Sequence, residues 1–314
     1  MKALVIGKLR PRLPVMQGAL GYIGSPSFVA AVARAGALGT IASLGLTPEE
    51  LRKQIAEVRS QCSEGDLFGV NLLVPATTYP AQVEVCLEQH VHFVELAAGM
   101  DKQCGRIHAQ GGPAVIYKVS SLRLAQYAEQ LGAAAVVVMG KEAGGHLGFP
   151  QGVPFVSTAD LVRSVKPRVS IPVIAAGGAV DDETAKPLFE AGADAIQVGT
   201  RLLATHEFQS HPSFKAALVH AGADEVLVID SPFGLPLRAL STRFARGQGR
   251  EAFDVEDCVR CLPTCRKTYC LRAAMRRALA GQVQDGIIPA SENTPRICTL
   301  LTLSEALSEM LRLS

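Results

Sequence analysis

A closed parallel (β/α)8 TIM barrel of the α/β class, with a smaller cysteine-rich C-terminal lid, is the fold these 314 residues predict, and three observations predict it. Eight short β-rich apolar runs recur between residues 13 and 201, each followed by a polar or glycine turn. Helix-like stretches separate the runs, at the spacing of about 20–30 residues that parallel βα units adopt. Past Arg201 this rhythm stops, and four cysteines fall between Cys258 and Cys270. An open doubly wound sheet is the competing arrangement of such units, but eight strands are the number that closes a ring.

The first run, Leu13–Gln17, ends in Gly18-Ala19-Leu20-Gly21, and Pro26–Ala35 follows as a helix. Leu38–Ser43 leads into a helical stretch over Pro48–Ser60. Phe68–Val74, His92–Ala97 and Ala114–Val119 are the third to fifth strands, rich in the β-branched and aromatic residues that suit a pleated surface. The helix Leu122–Leu131 separates the fifth from the sixth, Ala135–Met139; Pro172–Ala176 is the seventh. After the helix Asp182–Ala191, Ala195–Val198 completes the eight.

Downstream, Val226–Ile229 reads as a further strand, whereas Ser231–Arg250 carries prolines, glycines and arginines without either periodicity. Cys270–Ala280 reads as a helix. Leu303–Leu313 places Leu303, Ala306, Leu307, Met310 and Leu311 on one helical face, which predicts a helix docked on the barrel. The predicted organisation is a barrel over 1–205, a substrate or lid region over 206–300 and a packing helix over 301–314.

Composition bounds the function classes. A chain 48% hydrophobic and 19% charged builds a sizeable core, and a formal net charge of +2 excludes a general coat for nucleic acid. No run reaches the roughly 18 apolar residues of a membrane span, and the amino terminus lacks a signal-peptide pattern, so a cytoplasmic enzyme is expected. Eight cysteines in this length do not make a disulfide scaffold.

Several residues at predicted strand ends carry chemistry. The Gln17-Gly18 loop allows close backbone approach to a planar ligand, or is a tight glycine turn. Asn71 stands in an apolar strand, where a buried amide needs a partner, either a ligand ring or a neighbouring loop. Lys118 likewise ends an apolar strand, and an ammonium there needs an anion or electron-rich partner unless it snorkels to solvent. Gly145-His146 follows the sixth strand, where an imidazole can move a proton near neutral pH or serve the structure. Gly177 and Gly178 close the seventh strand, and Gln197, Gly199 and Thr200 the eighth, the two places where such barrels hold a phosphate.

Taken in order, Leu13–Gly18, Phe68–Leu72, Lys118, Glu142–His146, Pro172–Gly178 and Gln197–Arg201 resemble the successive signatures of the nitronate monooxygenase and flavin-dependent enoyl-acyl-carrier-protein reductase II superfamily. The resemblance covers about residues 13–235 and is closest to a branch with a cysteine-rich C-terminal extension. It implies non-covalent FMN over the strand ends, with Gln17, Gly18, Asn71, Lys118, Gly145 and Gln197 around the flavin. Gly177, Gly178, Gly199 and Thr200 would lie at its phosphate, and His146 would face the substrate as the catalytic residue. The implied activity is NAD(P)H-dependent reduction of an activated alkene such as an enoyl thioester. Nitronate oxidation by FMN and oxygen is the alternative, and a flavin electron-transfer or redox-sensor protein a third.

Cys258-x2-Cys261-x3-Cys265-x4-Cys270 packs four thiols into thirteen residues, a spacing that suits a [4Fe–4S] cluster better than zinc, with metal-free thiols as the remaining option. Cys298, in the apolar run Ile297–Leu300, is expected to pack. From Arg238 to Arg277 ten Arg/Lys face four Asp/Glu, a patch suited to the phosphates of a thioester carrier or of NAD(P)H, or to a solubilising surface. Expected partners are a small-molecule or thioester substrate, an acyl carrier or electron-transfer protein, and a second copy of the chain; neither nucleic acid nor membrane is expected.

Overall fold

The computed structural model describes residues 3–102, 105, 111–150, 152–248 and 258–312. In chain order its strands are β1 (Val15–Gln17), β2 (Gly39–Ala42), β3 (Phe68–Leu73), β4 (Phe93–Ala97), β5 (Ala114–Val119), β6 (Ala135–Met139), β7 (Gly145–His146), β8 (Val173–Ala176), β9 (Ala195–Val198), β10 (Val226–Asp230) and β11 (Pro236–Leu240). Eight of them run parallel in the order β1-β9-β8-β6-β5-β4-β3-β2, and a parallel bridge from Met16 to Leu38 joins the first to the last. This is the predicted (β/α)8 barrel.

Capping residues set where the surrounding helices begin. Ser25 precedes the helix Pro26–Arg34 and its hydroxyl accepts the Phe28 N–H, while Thr47 and Glu50 form a reciprocal capping box at Pro48–Ser60. Both helices carry proline in the first turn, where its missing N–H costs no bond.

Side chains alternate across each strand, and this period of two sorts the core. Val15, Val70, Leu72, Val94, Leu96, Val115, Tyr117, Val136, Val138, Ile196 and Val198 pack outward in the cluster that holds the helices. Met16, Leu38, Phe93, Ile116, Val137, Ile174 and Ala195 form a second cluster, the barrel's lumen, with Leu4, Ile6 and Leu9 from the N-terminal segment. The same alternation puts Asn71, Glu95, Lys118 and Gln197 on the lumen side, nearer the carboxyl ends of their strands.

Downstream the structure departs from the expected irregular stretch. β11 runs antiparallel to β10 and also pairs with β7, Leu237 opposite His146 and Arg238 opposite Gly145. The strand was hidden because Pro-Leu-Arg-Ala-Leu has no alternation of its own; its partners are supplied by tertiary structure. The helix Leu271–Leu279 buries Leu271, Ala274, Met275 and Ala278, and these join Leu237, Phe244 and Leu262 in the barrel's outer core. The C-terminal layer therefore shares one continuous core with the barrel beneath it. The last helix, Leu303–Met310, buries Leu303, Ala306, Leu307 and Met310 and contacts the helix Asp182–Glu190, as its apolar face predicted; Leu313 lies outside the described residues. Among the described residues no helix is long and apolar enough to cross a membrane.

Candidate active site

A cavity of about 520 Å³ lies over the carboxyl ends of the barrel strands. Its lining divides into three parts: a polar floor from β3, β5 and β9, a glycine-rich end after β8 and β9, and an apolar roof that includes Phe233, Leu262, Leu271 and Met275.

The floor is organised by a residue that the sequence reading missed. Glu95 is fully buried, and its carboxylate takes three donors. Lys118 Nζ stands 3.1 Å from Oε1, Gln197 Nε2 donates to Oε1 at 2.7 Å, and Asn71 Nδ2 donates to Oε2 at 2.7 Å. A buried carboxylate requires such compensation, and a buried ammonium equally requires its anion. The anion that Lys118 needed is thus protein. Strand alternation offered a signal for Glu95, since Val94 and Leu96 on either side face the helices.

Gln17 differs from the expectation that it meets the cofactor. It follows Val15 by two residues and so shares its outward face, does not line the cavity, and accepts the Thr40 N–H through Oε1 at 3.2 Å. The residue ties β1 to β2. Gly18 does line the cavity, its own N–H donating to the Val198 carbonyl at 2.7 Å.

At the glycine end, Gly177 and Gly178 take φ of +120° and +89°, where an L side chain is strained. A Cβ on Gly177 would also stand 2.8 Å from the Ala143 nitrogen. Gly199 is different: at φ −118° its backbone suits any residue, and an added Cβ would meet only Leu20 Cδ2 at 3.9 Å. The space its missing side chain leaves belongs to the cavity. Thr200 Oγ1 accepts the Ser291 N–H at 3.0 Å, so its own proton is left to donate.

His146 enters the wall of the cavity on β7, with Gly145 before it at φ +74°. Its ring stacks on Phe233 at 5.0 Å, and Nε2 lies 2.6 Å from Ser231 Oγ, which also accepts the Phe233 N–H. Burial pushes its pKa down to about 4, so the imidazole is neutral around pH 7. The side chain is thus braced on both sides. Glu142, from the same motif, turns away and accepts the Thr158 N–H and hydroxyl at 2.8 and 2.7 Å, capping a helix.

The [4Fe–4S] expectation gains no support from the structure. Among the described residues no group of three or more His, Cys, Asp or Glu side chains is arranged to hold a metal ion, despite the spacing of Cys258, Cys261, Cys265 and Cys270. Cys261, Cys265 and Cys270 pack against the apolar core, and Cys261 Sγ meets the Tyr22 hydroxyl at 3.5 Å. Burial, then the neighbouring cysteines, raise the Cys261 thiol pKa, while the Tyr22 hydroxyl lowers it. The expectation for Cys298 is corrected: it is exposed, and Ile297 carries the packing.

The basic patch is smaller than its count. Arg238 is buried, donating to the Lys141 carbonyl at 2.7 Å and pairing with Glu292 at 3.2 Å, and Arg243 pairs with Asp285. Arg250 lies outside the described residues. Arg260, Arg266 and Lys267 are exposed, two or three residues along the chain from the cavity residues Leu262 and Thr264.

The chain matches the family model described as nitronate monooxygenase over residues 2–80 and 75–312. It is 32% identical over 229 residues to a (3aS,4S,5R,7aS)-5-hydroxy-7a-methyl-1-oxo-octahydro-1H-indene-4-carboxyl-CoA dehydrogenase of Rhodococcus jostii, a match that covers 73% of this chain and 63% of that protein. Among solved structures, FabK from Thermotoga maritima superposes with a TM-score of 0.86 at 32% identity, over 99% of this chain and 96% of FabK. A nitroalkane oxidase from Streptomyces ansochromogenes gives 0.79 at 26%, over 96% of both chains.

Proposed function

This chain belongs to the nitronate monooxygenase family, and from that premise we propose that it is an FMN-dependent oxidoreductase that reduces an activated alkene, such as an enoyl thioester, with NAD(P)H as reductant. The observation that carries the reading is the division of the cavity into a donor-rich floor, a glycine end and an apolar roof. A volume of about 520 Å³ is in the range of small-molecule sites.

The residues at hand suit the cofactor. Gly199 leaves open space where a phosphate tail would lie, and Thr200 keeps a hydroxyl proton for it. Asn71, Gln197 and Lys118 would supply the polar contacts for a flavin ring, the ammonium as a donor whose charge is shared with Glu95. FMN supplies two-electron hydride chemistry when bound. His146 supplies a neutral imidazole held by Ser231 and Phe233, able to orient the substrate or pass a proton. Phe233, Leu262, Leu271 and Met275 exclude water over the site and suit an acyl chain. Net, one hydride from NAD(P)H and one proton add across the carbon–carbon double bond.

Nitronate oxidation is the second reading, favoured by the neutral His146: a nitronate arrives already deprotonated and asks for no strong base. Anaerobic stopped-flow separates the two. NADH or NADPH should bleach the flavin, and an enoyl-coenzyme A thioester should then restore the oxidised spectrum without oxygen. Reoxidation only by oxygen, coupled to nitronate consumption, would overturn the reductase assignment.

A thioester bearing phosphates is also expected to be steered by Arg260, Arg266 and Lys267. kcat/KM should fall steeply as salt shortens the Debye length below about 10 Å, while kcat at saturation stays nearly constant. Equal salt sensitivity of a triple alanine variant at these positions would remove them from substrate recognition.

A further inference from the structure

Glu95 sits beneath three of the cavity's polar side chains without lining the cavity itself. Its two oxygens take the Lys118 ammonium and one N–H each from Asn71 and Gln197. Two consequences follow from chemistry alone. An amide whose nitrogen is held by a carboxylate has its flip decided, so the oxygens of Asn71 and Gln197 are turned away from Glu95. A carboxylate 3.1 Å from the ammonium also offsets most of the positive charge that Lys118 would otherwise project into the cavity.

We propose that Glu95 is a positioning residue that sets both the amide orientation and the net charge of the cavity floor, and thereby the reduction potential of the bound flavin. The proposal rests on the FMN reading above. A flavin gains negative charge on reduction, so a fixed anion nearby opposes reduction and a fixed cation favours it. Glu95 and Lys118 therefore act with opposite sign on one quantity, which a merely structural role for Glu95 does not produce.

The test measures the flavin midpoint potential of the wild type, Glu95→Gln, Lys118→Met and the double variant. Glu95→Gln should shift the potential positive, Lys118→Met negative, and the double variant should return it toward the wild type. An unchanged potential or a negative shift in flavin-loaded Glu95→Gln overturns the proposal. If Glu95→Gln does not retain FMN, the double variant should regain it, because removing one partner strands a buried charge and removing both does not; failure of both to load reduces Glu95 to a structural residue. The same four proteins are unfolded in denaturant after flavin removal, a cycle that needs no cofactor. There the double variant should be more stable than Glu95→Gln, and independent, additive losses overturn the coupling. A wild type that takes up no FMN defeats the functional reading and with it the effect on potential, whereas additive losses in the denaturation cycle defeat the Glu95–Lys118 coupling whether or not FMN binds.

Discussion

Gly199→Phe is expected to purify as a folded protein without flavin. The Gly199 backbone sits at φ −118°, so a larger residue introduces no strain, and the position its Cβ would take touches only Leu20 Cδ2 at 3.9 Å. The phenyl ring would thus enter the cavity at the end proposed for the FMN phosphate. The ring would compete with the FMN phosphate for one space, so FMN affinity should fall by about 10²-fold or more, roughly 3 kcal/mol. The melting temperature of the flavin-free protein should change little. Gly178→Ala provides the contrast: at φ +89° the methyl group is strained and stands 3.0 Å from Glu142 Cβ, so this variant should lose stability as well as flavin. Flavin absorbance per chain and a melting curve on both variants decide the matter. Full FMN occupancy in Gly199→Phe would move the phosphate elsewhere.

All eight barrel strands were legible because each is an apolar run closed by a turn, and Ala114–Val119, Ala135–Met139 and Ala195–Val198 match residue for residue. The face of each residue was legible too, though motif position overrode it at Gln17. Two residues after the outward Val15, Gln17 could not face the lumen from the same strand. Glu95 carried the same signal in reverse, and a charge flanked by Val94 and Leu96 on an eight-strand ring is a lumen residue by parity. What depends on distant chain was not legible. β11 exists as a strand through β7 and β10, and the surroundings of His146 come from Ser231 and Phe233, more than eighty residues later. The cysteines show a different limit: spacing along the chain does not say whether four thiols take up the geometry of a metal site.

His146→Ala should lower kcat with the true substrate by about 10²-fold, the usual scale for lost acid–base assistance. Unlike an exposed loop residue, it should also weaken the fold. The Phe233 stack contributes roughly 0.5–1.5 kcal/mol and the Ser231 hydrogen bond about 1 kcal/mol, so the melting temperature should fall by several degrees. The two effects are separable by pH. The folded pKa of about 4 lies below the ordinary 6.5, so between these values the unfolded chain binds a proton that the folded chain does not. Stability from this residue is therefore complete above pH 6.5 and declines as pH falls toward 4, and His146→Ala should lose that part of the slope. The imidazole stays neutral from pH 5.5 to 8, so it should contribute no limb to kcat/KM across that range. Normal turnover by the variant would reduce His146 to a brace for β11. A wild-type limb near pH 6.5 that disappears in His146→Ala would mean that the imidazole titrates in solution and that burial does not hold it neutral.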